Sequence, residues 1–94
     1  MSSEIREWLE EVAPGCIVLE ELEHDQALIG TIERLDLGPL PCYDFELLIG
    51  SSMKLGMASR EEAMEHLNFN VLRSLDRANS PVILHRPLYF NWPE

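Results

Sequence analysis

The sequence predicts an α+β fold, and three observations carry that expectation. Apolar residues recur with a helical period at the start and in the second half of the chain. β-Branched runs lie between them, and the turn and cap signals separating these segments do not alternate strictly. The expected order is α-β-β-β-α-α-β over one domain, residues 1–94. A small, mostly antiparallel sheet of about four strands would pack on two longer helices. Ninety-four residues build one core and not two.

Residues 4–12 read as a short helix, because Ile5, Trp8, Leu9 and Val12 fall at i, i+3, i+4 and i+7. Ser2 or Ser3 caps it, Glu4 and Glu7 sit at its positive end, and Pro14-Gly15 stops it. Trp8, among apolar neighbours, is expected to anchor in the core. Residues 16–22, CIVLEEL, read as a strand, and 23–26 as a polar turn. Residues 27–35 read as a second strand: Ile29, Thr31 and Ile32 favour it, and Gly30 disfavours a helix by about 1 kcal/mol. Gly38-Pro39 marks a turn, and residues 40–43 return as a short strand that Pro41 places at an edge or an irregular start.

Asp44 is a natural N-cap for a helix over 45–55, with Phe45, Leu48 and Ile49 on its buried side and Gly56 ending it. Ser59 and Glu62 form a capping box, the strongest local signal in the chain. The helix it opens is expected to run to about Arg77, burying Ala63, Met64, Leu67, Val71, Leu72 and Leu75, with Phe69 at an edge. Asn79-Ser80 breaks it, and residues 81–84 enter a final strand. The segment 87–94 is an aromatic tail carrying Tyr89, Phe90 and Trp92, which either folds back on the sheet or meets a partner.

Charge is distributed unevenly. The formal net charge is −10, and twelve of the seventeen carboxylates lie in residues 1–47 against only Arg6 and Arg34. A one-signed field of this kind selects basic partners and argues against direct contact with nucleic acid or anionic lipid. No apolar run approaches ~20 residues, so no membrane span is expected. The acidic, amphipathic start lacks the features of a signal peptide, which makes the cytoplasm the expected location. Cys16 and Cys42 fit that compartment as reduced thiols, although spacing alone leaves a disulfide open.

Few side chains suggest chemistry. Cys42 lies between a predicted strand and a helix start, where a helix dipole lowers a thiol pKa, but Asp44 and Glu46 beside it act the other way. An enzyme centred on Cys42, Tyr43 and Asp44 is therefore the second reading, behind a small buried thiol. His24, His66 and His85 are dispersed, and Glu62 with His66 supplies only two ligands, so no metal and no cofactor are expected. The glycines match no nucleotide-binding fingerprint. The leading reading is a non-enzymatic acidic module. It would dock a basic protein surface through Glu20, Glu21, Glu23 and Asp25, with Glu33 and Asp36. A homodimeric module joined through the tail or an edge strand is the third.

One resemblance adds context. Ala27 to Gly30 with Glu33 and Arg34, then Pro39, Tyr43 and Asp44, then Glu61 to Ala63, Glu65, Phe69, Asn70 and Pro81 form one pattern. In that pattern the chain resembles a family of short, uncharacterised bacterial and phage proteins over Asp25 to Leu84, about two-thirds of its length. Ser80 stands where the family has threonine, and residues 72–75 replace a glycine-containing stretch. The resemblance implies a compact α+β domain, a phage or mobile-element context, and no particular activity. It singles out Glu33, Arg34, Tyr43, Asp44 and Asn70 as polar residues that either tie the hairpin to the helices or line one cleft.

Overall fold

A computed structural model describes residues 4–72, 75 and 80–87. Helix α1 spans Glu4–Val12, a 3-10 helix Leu22–Ala27, strand β1 Leu28–Arg34 and strand β2 Gly38–Asp44. Helix α2 covers Phe45–Lys54, α3 Arg60–His66, a π-helical turn Leu67–Val71, and strand β3 Val82–Leu84. The α+β class is as expected, with a mixed three-stranded sheet in the order β1-β2-β3. β1 and β2 form an antiparallel hairpin, and β3 runs parallel to β2.

Local signals explain the joints. Gly38, at φ +80°, closes the hairpin opposite Arg34, a conformation that side chains resist. Asp44 caps α2, its Oδ1 accepting from the Leu47 amide at 3.0 Å. Gly56, at φ +113°, ends α2. The Gly56 amide bonds Met53 O and the Met57 amide bonds Ser52 O, the paired bonds of a Schellman motif. Ser59 caps α3 by accepting from the Glu62 amide at 3.1 Å. The Glu62 carboxylate reaches back one residue further than in the standard box, to the Ala58 amide at 3.0 Å.

Several expectations need correction. Residues 16–22 are not a strand: Cys16 to Leu19 run without sheet pairing. At Leu19, side chains satisfy the backbone instead. The Leu19 amide donates to the Tyr43 hydroxyl at 3.1 Å, and Leu19 O accepts from Arg6 Nη2 at 2.7 Å. Residues expected as a polar turn form the 3-10 helix. Trp8 is 40% exposed, whereas Leu9 and Ala13 are buried. Arg6, drawn inward by Leu19 O and Asp25, rolls α1 so that a narrower i, i+4 line meets the core.

β2 is the central strand, not an edge. It tolerates two prolines because Pro39 and Pro41 share one parity, so both missing N–H groups fall on the same side of the strand. β3 meets β2 only at Cys42, Tyr43 and Asp44, just past the second proline. α3 is shorter than expected and yields to the π-helical turn, with Phe69 64% exposed. The expected helix end at Arg77, the Ser2 or Ser3 cap and the rings of the tail at Tyr89, Phe90 and Trp92 lie outside the described residues.

The core gathers Leu9 from α1, Leu19, Ala27 and Leu28 from the segment before the hairpin, Tyr43, Phe45, Leu48 and Ile49 around the β2–α2 joint, and Ala63 and Leu67 from α3. Both cysteines are free, Cys42 buried and Cys16 partly so. Among the described residues no helix is long and apolar enough to cross a membrane.

Candidate functional site

The absence of sheet pairing along residues 16–21 has a spatial consequence. That segment stands off from the helices and leaves a cavity of ≈ 490 Å³ between itself, the 3-10 helix and the end of α3. Its apolar walls come from Ile17, Val18 and Leu19 on one side and Val71 and Leu75 on the other. Its polar groups are Glu20, Glu21, His24, His66, Asn70 and Ser80. The π-helical turn, which holds Asn70 and Val71, follows His66 directly. Such turns occur often at functional sites, because the wider turn re-aims side chains.

His24 is the unusual member. It is 1% exposed, and its Nδ1 lies 2.7 Å from Ser51 Oγ. The Ser51 hydroxyl donates to Leu48 O at 2.9 Å, so it accepts from His24, which assigns the proton to Nδ1. Nε2 is then an acceptor, and it is buried without a hydrogen-bond partner. An orphaned buried acceptor costs about 1–3 kcal/mol. The pair does not resemble a hydrolytic Ser–His unit, in which the imidazole accepts from the hydroxyl. Here the hydroxyl proton is committed to the backbone, and Ser51 is buried.

Burial pushes the His24 pKa below the ordinary imidazole value, and His66 acts in the same direction, while Glu21, Glu23 and Asp25 oppose it. The ring is therefore neutral in the folded protein across a pH range in which the unfolded chain takes up a proton. Stability from this source is fully present above the unfolded value of about 6.5 and falls as pH drops from there toward the folded pKa. Urea unfolding at pH 7.5 and pH 5.5 checks this: the wild type is expected to lose more stability on acidification than His24→Leu. Equal losses would show that His24 is not the group responsible.

The structure divides the carboxylates named from sequence. Glu20, Glu21 and Glu23 are exposed, and none has an ion pair among the described residues. Asp25 is instead buried, its oxygens accepting from Arg6 Nε at 3.0 and 2.8 Å. Glu33 is exposed on β1, and Asp36 pairs with Arg34 across the hairpin turn at 2.9 Å. Neither of these two lines the cavity. Of the polar residues in the resemblance, Asp44 is a cap, Arg34 pairs locally, and Asn70 alone lines the cavity. The two alternatives for that set are thus mixed.

Cys42 carries no sign of activation. Burial pushes its thiol pKa up, and Asp44 pushes it further. Among the described residues no group of three or more His, Cys, Asp or Glu side chains is placed to hold a metal ion. No protein-family model matches the chain, and neither does any curated protein or solved structure. The geometry of the cavity is accordingly the main guide to function. From sequence, His24 reads as part of a polar turn and His66 as an exposed helix partner of Glu62, not as members of one site. The available signal was the i, i+4 spacing of His66 and Asn70, whose side chains lie 3.5 Å apart.

Proposed function

We propose that this chain is a non-enzymatic, acidic binding module that docks a basic protein surface through Glu20 and Glu21 at the cavity and Glu23 on the adjoining 3-10 helix. The observation that carries this reading is how the charges are spent. Every lysine and arginine among the described residues has an internal partner: Arg6 with Asp25, Arg34 with Asp36, Arg60 with Glu46, Arg86 with Asp44, and Lys54 with Gln26. Among the described residues, none of Glu20, Glu21 and Glu23 has an ion-pair partner. A field of this kind steers a cationic partner to that face. The resemblance to short phage and bacterial proteins directs the search to a host nucleic-acid-handling or defence complex, in which the module would act as an inhibitor or adaptor. A cytoplasmic location belongs to the same proposal and fits two free thiols.

The test is capture of host proteins on the immobilised chain at low and at high salt, beside a variant carrying Glu20→Lys, Glu21→Lys and Glu23→Lys. Asp25 is left intact, because reversing a buried carboxylate would test stability instead. The wild type is expected to retain a basic partner that salt releases, and the variant to retain at least about tenfold less. A partner held equally by both proteins would exclude this surface.

A further inference from the structure

Taken together, the acceptors of the cavity specify what enters it. Ser51, the partner of His24 Nδ1, does not line the cavity, whereas His24 does. The ring therefore turns its Nδ1 edge toward Ser51 of α2, and its Nε2 is buried without a partner. Glu20 and Glu21 add two carboxylates, Asn70 adds an amide oxygen, and no lysine or arginine is among the described residues of the lining. Val18, Val71 and Leu75 supply apolar wall. Acceptors and negative charge above apolar walls match a donor-rich cation carried on an aliphatic stem.

We infer that the cavity is a socket for a lysine or arginine side chain of the docking partner. This rests on the docking proposal above and names the contact that gives it specificity. The stem lies against Val18, Val71 and Leu75. The cationic head sits between the Glu20 and Glu21 carboxylates and offers an N–H to His24 Nε2. That nitrogen is closed to bulk water, so the bond forms when the side chains that cover it move aside for the entering chain. A carboxylate or a neutral alkyl chain of the same length satisfies none of these acceptors.

The probe is the capped pentapeptide acetyl-Gly-Gly-Lys-Gly-Gly-amide, with its arginine and norleucine analogues, titrated into the whole chain by NMR. The lysine or arginine peptide is expected to shift the His24 and His66 ring signals and the Asn70 side-chain amide. The norleucine peptide is expected to leave them in place. The variant Glu20→Gln with Glu21→Gln alters only exposed side chains and should weaken the cationic peptide about tenfold. His24→Phe should weaken it as well, and the glutamine variant keeps the test decisive if His24→Phe does not fold. Equal shifts from the norleucine peptide, or shifts confined to residues away from the cavity, overturn the socket. Free cadaverine binding as tightly as the peptides also overturns it, by reassigning the site to a free amine. If the lysine-reversed triple variant loses its captured partner but no peptide moves His24 or His66, the docking surface stands and the socket does not. If the peptides bind at the cavity while partner capture is indifferent to charge reversal, the cavity is a cation site and the docking surface is wrong.

Discussion

Replacing Asp44 by alanine is expected to destabilise the fold by about 3–5 kcal/mol. The carboxylate is fully buried, and both oxygens are used. Oδ1 accepts from the Leu47 amide and so caps α2, and Oδ2 accepts from Arg86 Nε. Alanine removes the cap and at the same time takes the carboxylate from a guanidinium that is only 19% exposed. The pairing matters because of where it lies. β3 holds to β2 through three residue pairs, Cys42 with Val82, Tyr43 with Ile83 and Asp44 with Leu84. Arg86 follows two residues later, and the His85 ring packs on Phe45 with centroids 4.5 Å apart. Asp44 thus fastens the returning chain to the start of α2 just after the only strand it contributes among the described residues.

Two further variants separate the contributions. Asp44→Asn keeps a capping oxygen and loses the charge, so it should lie between alanine and wild type. Arg86→Ala combined with Asp44→Ala completes a double-mutant cycle, and the two changes are expected to be strongly non-additive. Chemical denaturation gives the free energies, and thermal unfolding should fall by about 4–8 °C for each kcal/mol lost. An Asp44→Ala protein within about 0.5 kcal/mol of wild type would show that β3 and α2 are held by other means.

Asp44 was also among the most legible residues in the sequence, and the reason is general to the fold. Its cap, the Ser59–Glu62 motif, Gly56 and the hairpin ending at Gly38 depend on neighbours within about five residues, so their physics is written locally. The orientation of Trp8 is not. The apolar stripe of α1 suggested a buried ring, but the roll of the helix is set by Arg6 reaching Leu19 and Asp25, contacts between residues far apart in sequence. CIVLEEL has the composition of a strand, yet no neighbouring strand accepts it. The backbone of Leu19 at its centre is satisfied by two side chains that no periodicity reveals. The cavity follows from that arrangement, so His24 and His66 could not be paired before the chain was folded. Glu20, Glu21 and Glu23 were visible as charge. That they flank a buried imidazole whose Nε2 has no partner was not.

The second large effect is expected at Tyr43, the side chain that holds this unpaired segment in place. Tyr43 is completely buried, and its hydroxyl accepts the Leu19 amide proton. Burial also pushes the phenol pKa up, which favours the neutral hydroxyl that accepts this bond. Tyr43→Phe preserves the ring and deletes only the oxygen, leaving a buried amide with no acceptor at a cost of about 1–3 kcal/mol. Loss of stability alone would not separate this from a general core defect. The discriminating measurement is native-state hydrogen exchange at Leu19. Its amide should exchange far faster in Tyr43→Phe, while Leu48 and Ile49 in α2 should lose only the protection that follows the global drop in stability. Arg6 still holds the Leu19 carbonyl, so the segment should loosen and not detach. Because Ile17 to Glu21 form one whole wall of the cavity, the same variant should also bind the lysine peptide more weakly. Unchanged Leu19 protection would mean that the wall is positioned by its apolar contacts, with Leu19 itself 7% exposed in the core, and that the hydroxyl is incidental to the site.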